Sequence, residues 1–91
     1  MIRAVWTHRR VTLRGHADSA PHGADIVCAA VSALLFAVAG ALEQQGKVRE
    51  LALRPGYAML WVQEGGEAEL AVLRCGLYQL AAKYPQCVQV E

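Results

Sequence analysis

The sequence predicts a single α+β domain in the order ββαββαβ, with two helices packed on one face of a mixed or antiparallel sheet. Three observations support this fold class. Short segments of alternating apolar and polar residues flank a long apolar run, a later segment has helical periodicity, and Gly or Pro residues separate the segments. The chain's 91 residues suffice for one hydrophobic core and not for two, so we expect residues 1–91 to form one domain.

The first two segments predict a β-hairpin. Residues 1–7 and 10–15 both alternate with a period of two, and the polar pair His8-Arg9 separates them. Residues 16–24 have neither a strand nor a helix period and contain Asp, Ser, Pro and Gly, which favour turns. We therefore expect two strands followed by a mobile loop.

Residues 26–42 predict a buried helix, because every residue there except Ser32 is apolar or small. Asp25 is a good N-cap for its start, and Gly46 marks its end. A membrane span needs about 20 strongly apolar residues, whereas seven of these 17 are Ala or Gly. We expect a core helix and no membrane contact.

Two further strands are predicted over residues 47–53 and 57–63. The turn between them contains Pro55-Gly56, in which Pro presets one turn position and Gly supplies the positive φ of the next. Met and aromatic side chains share one face of the second strand, and at this spacing such side chains usually belong to the core. They are Tyr57, Met59 and Trp61.

The second helix is predicted over residues 67–84, where apolar residues recur at alternating spacings of three and four. This buried stripe consists of Leu70, Leu73, Leu77, Leu80 and Tyr84. Pro85 ends the helix, and residues 86–90 predict a short last strand.

Composition limits the classes of partner. A net charge of +1 provides no basic excess for gripping a polyanion, and the cluster Arg9-Arg10 with Arg14 is typical of a solvated hairpin tip, so we expect no nucleic-acid partner. The hydrophobic fraction of 55% is above average for a soluble domain and the charged fraction of 19% is below it. We therefore expect apolar surface to be buried between subunits of a homo-oligomer.

Cysteine usage indicates a reducing compartment. Cys28, Cys75 and Cys87 cannot all pair within the chain, and none forms a C-x-x-C motif. We therefore expect a cytoplasmic protein, with Cys75 and Cys87 as buried packing residues.

Cys28 and His16 form the candidate site. If Asp25 is the N-cap, Cys28 is the third helical residue, where unpaired backbone N–H groups and the helix dipole favour a thiolate. His16 lies twelve residues earlier, at the end of the second predicted strand, and is a candidate general base or acid for that nucleophile. Asp25 is expected to orient the site, and Ser32, one turn beyond Cys28, either bonds its own backbone or contacts the site.

Other interpretations of these residues remain open. Residue chemistry alone makes Cys28 as good a small core residue as a nucleophile. A metal site formed by His16, His22 and Cys28 matches no common zinc spacing and lacks a fourth ligand, so we expect no metal and no cofactor.

Four segments between residues 15 and 36 match one protein family in residue type and in the His-to-Cys spacing. They are Gly15-His16-Ala17-Asp18, Gly23 with Asp25-Ile26-Val27-Cys28-Ala29, Ser32-Ala33, and Leu35-Phe36. In these segments, about a quarter of the chain, the sequence resembles the ribosomal-processing cysteine protease family Prp.

This resemblance implies that residues 1–91 are a single cysteine protease domain that forms a cytoplasmic homodimer. Cys28 would be the nucleophile and His16 the base, with Asp25 and Ser32 in supporting positions. The implied substrate is the precursor of the bacterial large-subunit ribosomal protein twenty-seven, from which a short N-terminal extension is removed after an aromatic residue.

The resemblance also implies that the substrate orders the loop over residues 17–24. Ala17 and Asp18 lie in this loop, and Gly23 would be its hinge.

Two alternatives come from other functional classes. One is a non-catalytic dimeric module that binds a ribosomal precursor protein, which the small size and high apolar fraction favour. The other is a redox or metal-binding thiol protein.

Overall fold

The computed structural model describes the backbone of residues 1–16 and 21–91 and the side chains of residues 1–16 and 26–91. Its elements follow the predicted order ββαββαβ. They are β1 (Ile2–Thr7), β2 (Arg10–Arg14), α1 (Pro21–Gln44), β3 (Val48–Arg54), β4 (Tyr57–Val62), α2 (Glu67–Lys83) and β5 (Val88–Val90).

The five strands form one mixed sheet in the order β3-β4-β2-β1-β5. Neighbouring strands are antiparallel except β5, which runs parallel to β1. Beyond the end of β2, the Gly15 N–H donates to the Gly56 carbonyl over 2.9 Å. This bond ties the exit of β2 to the turn between β3 and β4.

Both helices pack on one face of this sheet, as predicted. The α2 stripe contributes Leu70, Leu73 and Leu77 to the core, with Leu80 and Tyr84 partly buried against it. The inward face of α1 has buried residues at helical spacing: Val27, Val31, Leu35, Val38 and Leu42. The core therefore lies between the two helices and one face of the sheet.

The start of α1 differs from the prediction. The helix begins at Pro21, so residues 21–24 are helical, Gly23 lies in the first turn, and Asp25 is inside the helix instead of capping it. Proline is favoured at a first helical position because that N–H has no partner in any case and the ring presets φ. Ala17 and Asp18 lie outside the described residues.

By length and composition, residues Ile26–Gln44 of α1 could cross a membrane, with a mean hydropathy of 2.2. Core helices of soluble proteins have the same property, and one face of α1 is packed into the core described above.

The two faces of β4 are assigned opposite to the prediction. Leu60 and Val62 point to the helices and are fully buried, whereas Tyr57 and Trp61 are only half-buried on the other side of the sheet. Met59, between them on that side, is buried as predicted, with 8% of its surface exposed. Strand register decides this, because Leu60 pairs with the buried Val11 of β2 while Trp61 pairs with the exposed Arg10.

Candidate active site

A cavity of about 460 Å³ lies where β2 ends beside α1 and the β3–β4 turn. It brings together three of the predicted site residues, His16, Cys28 and Ser32. Its remaining wall is largely apolar and includes Leu13, Val31, Leu35, Phe36, Leu53, Tyr57 and Ala58. The imidazole that follows β2 and a thiol on α1 therefore line one concave surface.

The backbone at Gly15 and His16 is fixed by contacts with Met1. Gly15 leaves β2 with φ +101°, and a Cβ at this position would lie 2.2 Å from the Met1 carbonyl oxygen. The Met1 ammonium group donates a hydrogen bond to the His16 carbonyl. Only glycine fits this close approach to the first residue, so the chain turns here and carries His16 out of the sheet toward the cavity.

The imidazole of His16 lies directly against the β3–β4 turn. A Cβ added to Gly56 would lie 2.7 Å from Nε2 of His16 and 3.3 Å from its Cε1. Gly56 has φ +72°, so this turn position needs glycine for its backbone as well. The turn residue is therefore one wall of the pocket that holds the imidazole.

Cys28 projects from α1 and is half-buried. Counting from Pro21 it is the eighth helical residue, which contradicts the expectation that it lies in the first turn. Helix-dipole stabilisation falls off within the first turn, and N–H groups beyond it are paired within the helix. The start of α1 therefore supplies neither a thiolate-favouring charge nor free N–H donors at Cys28.

Ser32 lies one turn after Cys28, is exposed, and lines the same cavity. Of the two interpretations given for it, its place in the wall favours contact with the site. The Asp25 side chain lies outside the described side chains, so its expected orienting role stays a prediction.

Sequence reasoning did not identify the apolar wall of the cavity. Phe36 is 56% exposed and Leu53 is 48% exposed, values that are high for large apolar side chains. Both line the cavity together with Tyr57 from β4. The sequence predicts the Pro55-Gly56 turn, assigns Tyr57 to the core and includes Phe36 in a matching segment, but none of these features indicates that the residues share a cavity wall.

The other thiols lie away from this cavity. Cys87 is buried, as predicted, but Cys75 is exposed on α2, so its assignment as a packing residue is wrong. Within the described part of the chain, no group of three His, Cys, Asp or Glu residues could hold a metal ion.

Comparison with known proteins identifies the class. The model of the family described as Cysteine protease Prp matches residues 1–89. The ribosomal processing cysteine protease Prp of Mycoplasma pneumoniae is 36% identical over 94 residues, covering 100% of this chain and 94% of that protein. The fold, the cavity and these matches define a cysteine protease.

The chain belongs to the ribosomal-processing cysteine protease family Prp.

Solved structures agree in fold. A protein of Streptococcus mutans superimposes with a TM-score of 0.83 at 29% identity, covering 100% of this chain and 92% of that one. The Prp protease of Staphylococcus aureus with a covalently linked product peptide has a TM-score of 0.81 at 21% identity, covering 99% and 95%. The same protease with a substrate peptide gives 0.81 at 20% identity, with the same coverage.

Proposed function

We propose that this protein is a cysteine endopeptidase that removes the N-terminal extension of the precursor of bacterial large-subunit ribosomal protein twenty-seven. The observation that carries the proposal is the shared cavity of Cys28 and His16, in a chain whose family is ribosomal-processing cysteine proteases. The staphylococcal relative has been crystallised with a substrate peptide and with a covalently linked product peptide, which supports peptide cleavage as the activity of this chain.

In the proposed reaction, His16 accepts the proton of the Cys28 thiol, and the Sγ thiolate attacks the scissile carbonyl carbon. The tetrahedral intermediate collapses as the peptide C–N bond breaks, and the protonated His16 gives its proton to the leaving amine. Water, deprotonated by His16, then attacks the thioester carbonyl carbon, the C–S bond breaks, and the proton on His16 returns to Sγ of Cys28 as the carboxylic acid product leaves. The two residues alone account for every proton moved.

The apolar wall suits the proposed substrate. Phe36, Leu53 and Tyr57 expose apolar surface beside Cys28. An aromatic residue before the cleaved bond would bury its ring against them, which is the kind of apolar lining that fixes a ligand in a cavity.

Incubation of the purified protein with a peptide spanning the precursor's cleavage region tests this function. Cys28→Ser should lower kcat/KM by about 1,000-fold or more, because a serine hydroxyl is a far weaker nucleophile beside one imidazole. Cys75→Ser removes an exposed thiol on α2 and should cleave like the wild type. Mass spectrometry of the products provides the measurement.

His16→Ala should abolish cleavage, whereas His8→Ala in the exposed hairpin turn should not. Undiminished cleavage by Cys28→Ser would refute the dyad. Peptide binding without product from the wild type, persisting in both dyad variants, would support the non-catalytic module instead.

We further propose that the protein acts as a cytoplasmic homodimer. Exposed apolar residues remain on both helices, including Ile26 at 61% and Val72 at 60%. An apolar groove between α1 and α2 contains Ala33, Leu34 and Ala37. In the cytoplasm, where disulfides are rare, Cys28 and Cys75 would remain reduced.

Light scattering should give twice the chain mass of 9.9 kDa. Ala37→Glu, in the groove, should give the monomer mass because it would bury an unpaired charge. Ala41→Glu, an exposed alanine of the same helix outside the groove, should remain dimeric. A monomeric wild type would contradict the proposal.

A further inference from the structure

The sheet face that the helices leave uncovered, called the open face below, has a distinctive order of side chains. Register places four of them in one row across four neighbouring strands: Arg3, Arg14, Tyr57 and Arg54. Four residues further along β4, Trp61 is opposite Arg10 of β2. Arg49 reaches the same ring from β3, next to a β-bulge between Val48 and Glu50.

Four of the five arginines of the open face, all but Arg3, stack on its two aromatic rings. The distances from guanidinium carbon to ring centroid are 4.2 Å for Arg54 and 4.9 Å for Arg14 on Tyr57, and 4.6 Å for Arg49 and 5.5 Å for Arg10 on Trp61. Stacking fixes the plane of a guanidinium and leaves its N–H edge able to donate. Each ring therefore has pre-ordered donors from the strands on both of its sides.

Among the residues whose side chains are described, these arginines have almost no acidic neighbours. The register places one acid on the open face, Glu50, against five arginines, a net charge of +4 where the whole chain has +1. The one salt bridge recorded within the described residues joins Arg9 and Glu64, neither of which is on this face. All five arginines are exposed, and none has an ion-pair partner within the described part of the chain.

This arrangement has a cost in folding stability. Arg3 lies directly opposite Arg14, and like charges in that relation destabilise a strand pair. A ligand with negative charges spaced along a chain would relieve the repulsion.

The net charge of the chain predicts no nucleic-acid partner, but the charge gathered on this one face reverses that expectation, and we propose that the open face binds single-stranded RNA. Phosphates would accept hydrogen bonds from the arginine edges, and bases would stack on the outward planes of the guanidinium groups that the rings of Tyr57 and Trp61 hold in place. A second copy of the chain would meet the same positive charge and be repelled. An anionic membrane would have few apolar side chains to bury here, because Met59 between the two rows is only 8% exposed and Val5, 41% exposed, is the one apolar side chain that β1 adds to this face.

The open face adjoins the cavity. Arg54 and Tyr57 also line the cavity that contains Cys28, so RNA bound along the row would pass beside its mouth. If the proposed function holds, RNA and peptide substrate would occupy neighbouring sites. RNA binding is measured in an assay that needs no peptide cleavage. A protein that cleaves the peptide without binding RNA, or binds RNA without cleaving the peptide, would therefore separate the two proposals.

Fluorescence anisotropy with a labelled single-stranded RNA of about 12 nucleotides, free of self-complementarity, tests the proposal. The wild type should bind at about 50 mM salt, and log K should fall with log salt with a slope of about −3 for four to five phosphate contacts. In the double variant Arg10→Gln/Arg14→Gln, affinity should fall about ten-fold or more and the slope should become shallower by about 1.4.

The matched control is Arg74→Gln/Lys83→Gln. It removes the same charge from α2, and Arg74 also stacks on an aromatic ring, with its guanidinium carbon 5.4 Å from the Trp6 centroid. This variant should bind RNA like the wild type. Trp61→Leu should lose about ten-fold in affinity with little change of slope, because it removes the ring that orders the guanidinium groups of Arg10 and Arg49 and leaves their charge. Urea unfolding of each variant reports whether it is folded.

Three results would overturn the proposal. They are the absence of RNA binding at low salt, an equal loss of affinity in the α2 control, and tighter binding of duplex than of single-stranded RNA. Binding to phosphatidylserine vesicles through the same arginines, without RNA binding, would assign the open face to a membrane instead.

Discussion

At the residue scale, two glycines determine where the His16 imidazole lies. Gly15 permits the turn out of β2 against Met1, and Gly56 leaves room for Nε2 of His16 against the β3–β4 turn. Neither glycine carries a reactive group. Both are nevertheless part of the candidate site, because any larger side chain there would displace the imidazole.

Gly56→Ala is expected to lower kcat/KM for the precursor peptide by about 100-fold, the order of loss that a displacement of about 1 Å can produce. The new Cβ would lie 2.7 Å from Nε2, so the imidazole must move. Measurement of steady-state cleavage by mass spectrometry checks this.

Gly46→Ala is the matched control. Gly46 has φ +69° against +72° for Gly56, but nothing lies within 4 Å of its added Cβ. Both variants should lose about 1–2 kcal/mol of unfolding free energy from backbone strain, and only Gly56→Ala should lose activity. Equal activity in the two variants would show that the turn does not position His16.

At the element scale, the two helices begin with different kinds of residue. Proline occupies the first position of α1, whereas α2 follows Gly66, which provides no side-chain cap, and has Glu67 and Glu69 in its first turn. The Glu67 carboxylate accepts a hydrogen bond from its own backbone N–H and one from the Gly65 N–H at 2.6 Å. These bonds hold the pKa of Glu67 below its ordinary value of 4.5.

Glu67→Gln is expected to lower the thermal midpoint at about pH 7 and to have little effect at about pH 3. A carboxyl whose pKa is lower in the folded state contributes stability above its unfolded pKa, and that contribution is lost as pH falls through the folded value. Circular dichroism melts across this range check the sign. Glu43→Gln, near the end of α1, should not lower the midpoint, since a negative charge there opposes the helix dipole. If the thermal midpoints of the wild type and Glu67→Gln still differed at about pH 3, the stabilisation could not come from the ionised Glu67 carboxylate.

At the scale of the whole molecule, charge and apolar surface are separated. The arginine rows occupy the side of the sheet opposite the core, while the exposed apolar residues Ile26 and Val72 lie on the helices that cover the other side. The molecule therefore presents two unlike faces, one proposed for a second subunit and one for RNA.

Arg3→Gln is expected to raise the unfolding free energy by about 0.2–1 kcal/mol, because it removes the repulsion with Arg14 directly opposite. The same variant should weaken RNA binding, so stability and binding should change in opposite directions. Urea unfolding at low salt and at about 1 M salt checks the cause, since screening should remove the gain. A gain independent of salt would mean that charge repulsion is not its source.

The sequence by itself determined the order of elements, the leucine stripe of α2 and the pairing of His16 with Cys28 as candidate residues. These features depend on local periodicity, turn chemistry and a short spacing, and the comparisons confirm the family to which that spacing pointed. The predictions from sequence were wrong where a residue's structure depends on packing against segments that are distant in the chain. Helix α1 begins at Pro21 and not after Asp25, and Tyr57 and Trp61 lie on the open face and not in the core.

Only the tertiary structure decided the wall of the cavity and the arrangement of charge. A net charge of +1 conceals a +4 face, because strand register gathers arginines from β1, β2 and β3 that are up to about fifty residues apart in the chain. Likewise, Gly56 meets His16 only because β4 pairs with β2. Residue types limit what a site can do chemically, but the long-range pairing of strands fixes which residues meet.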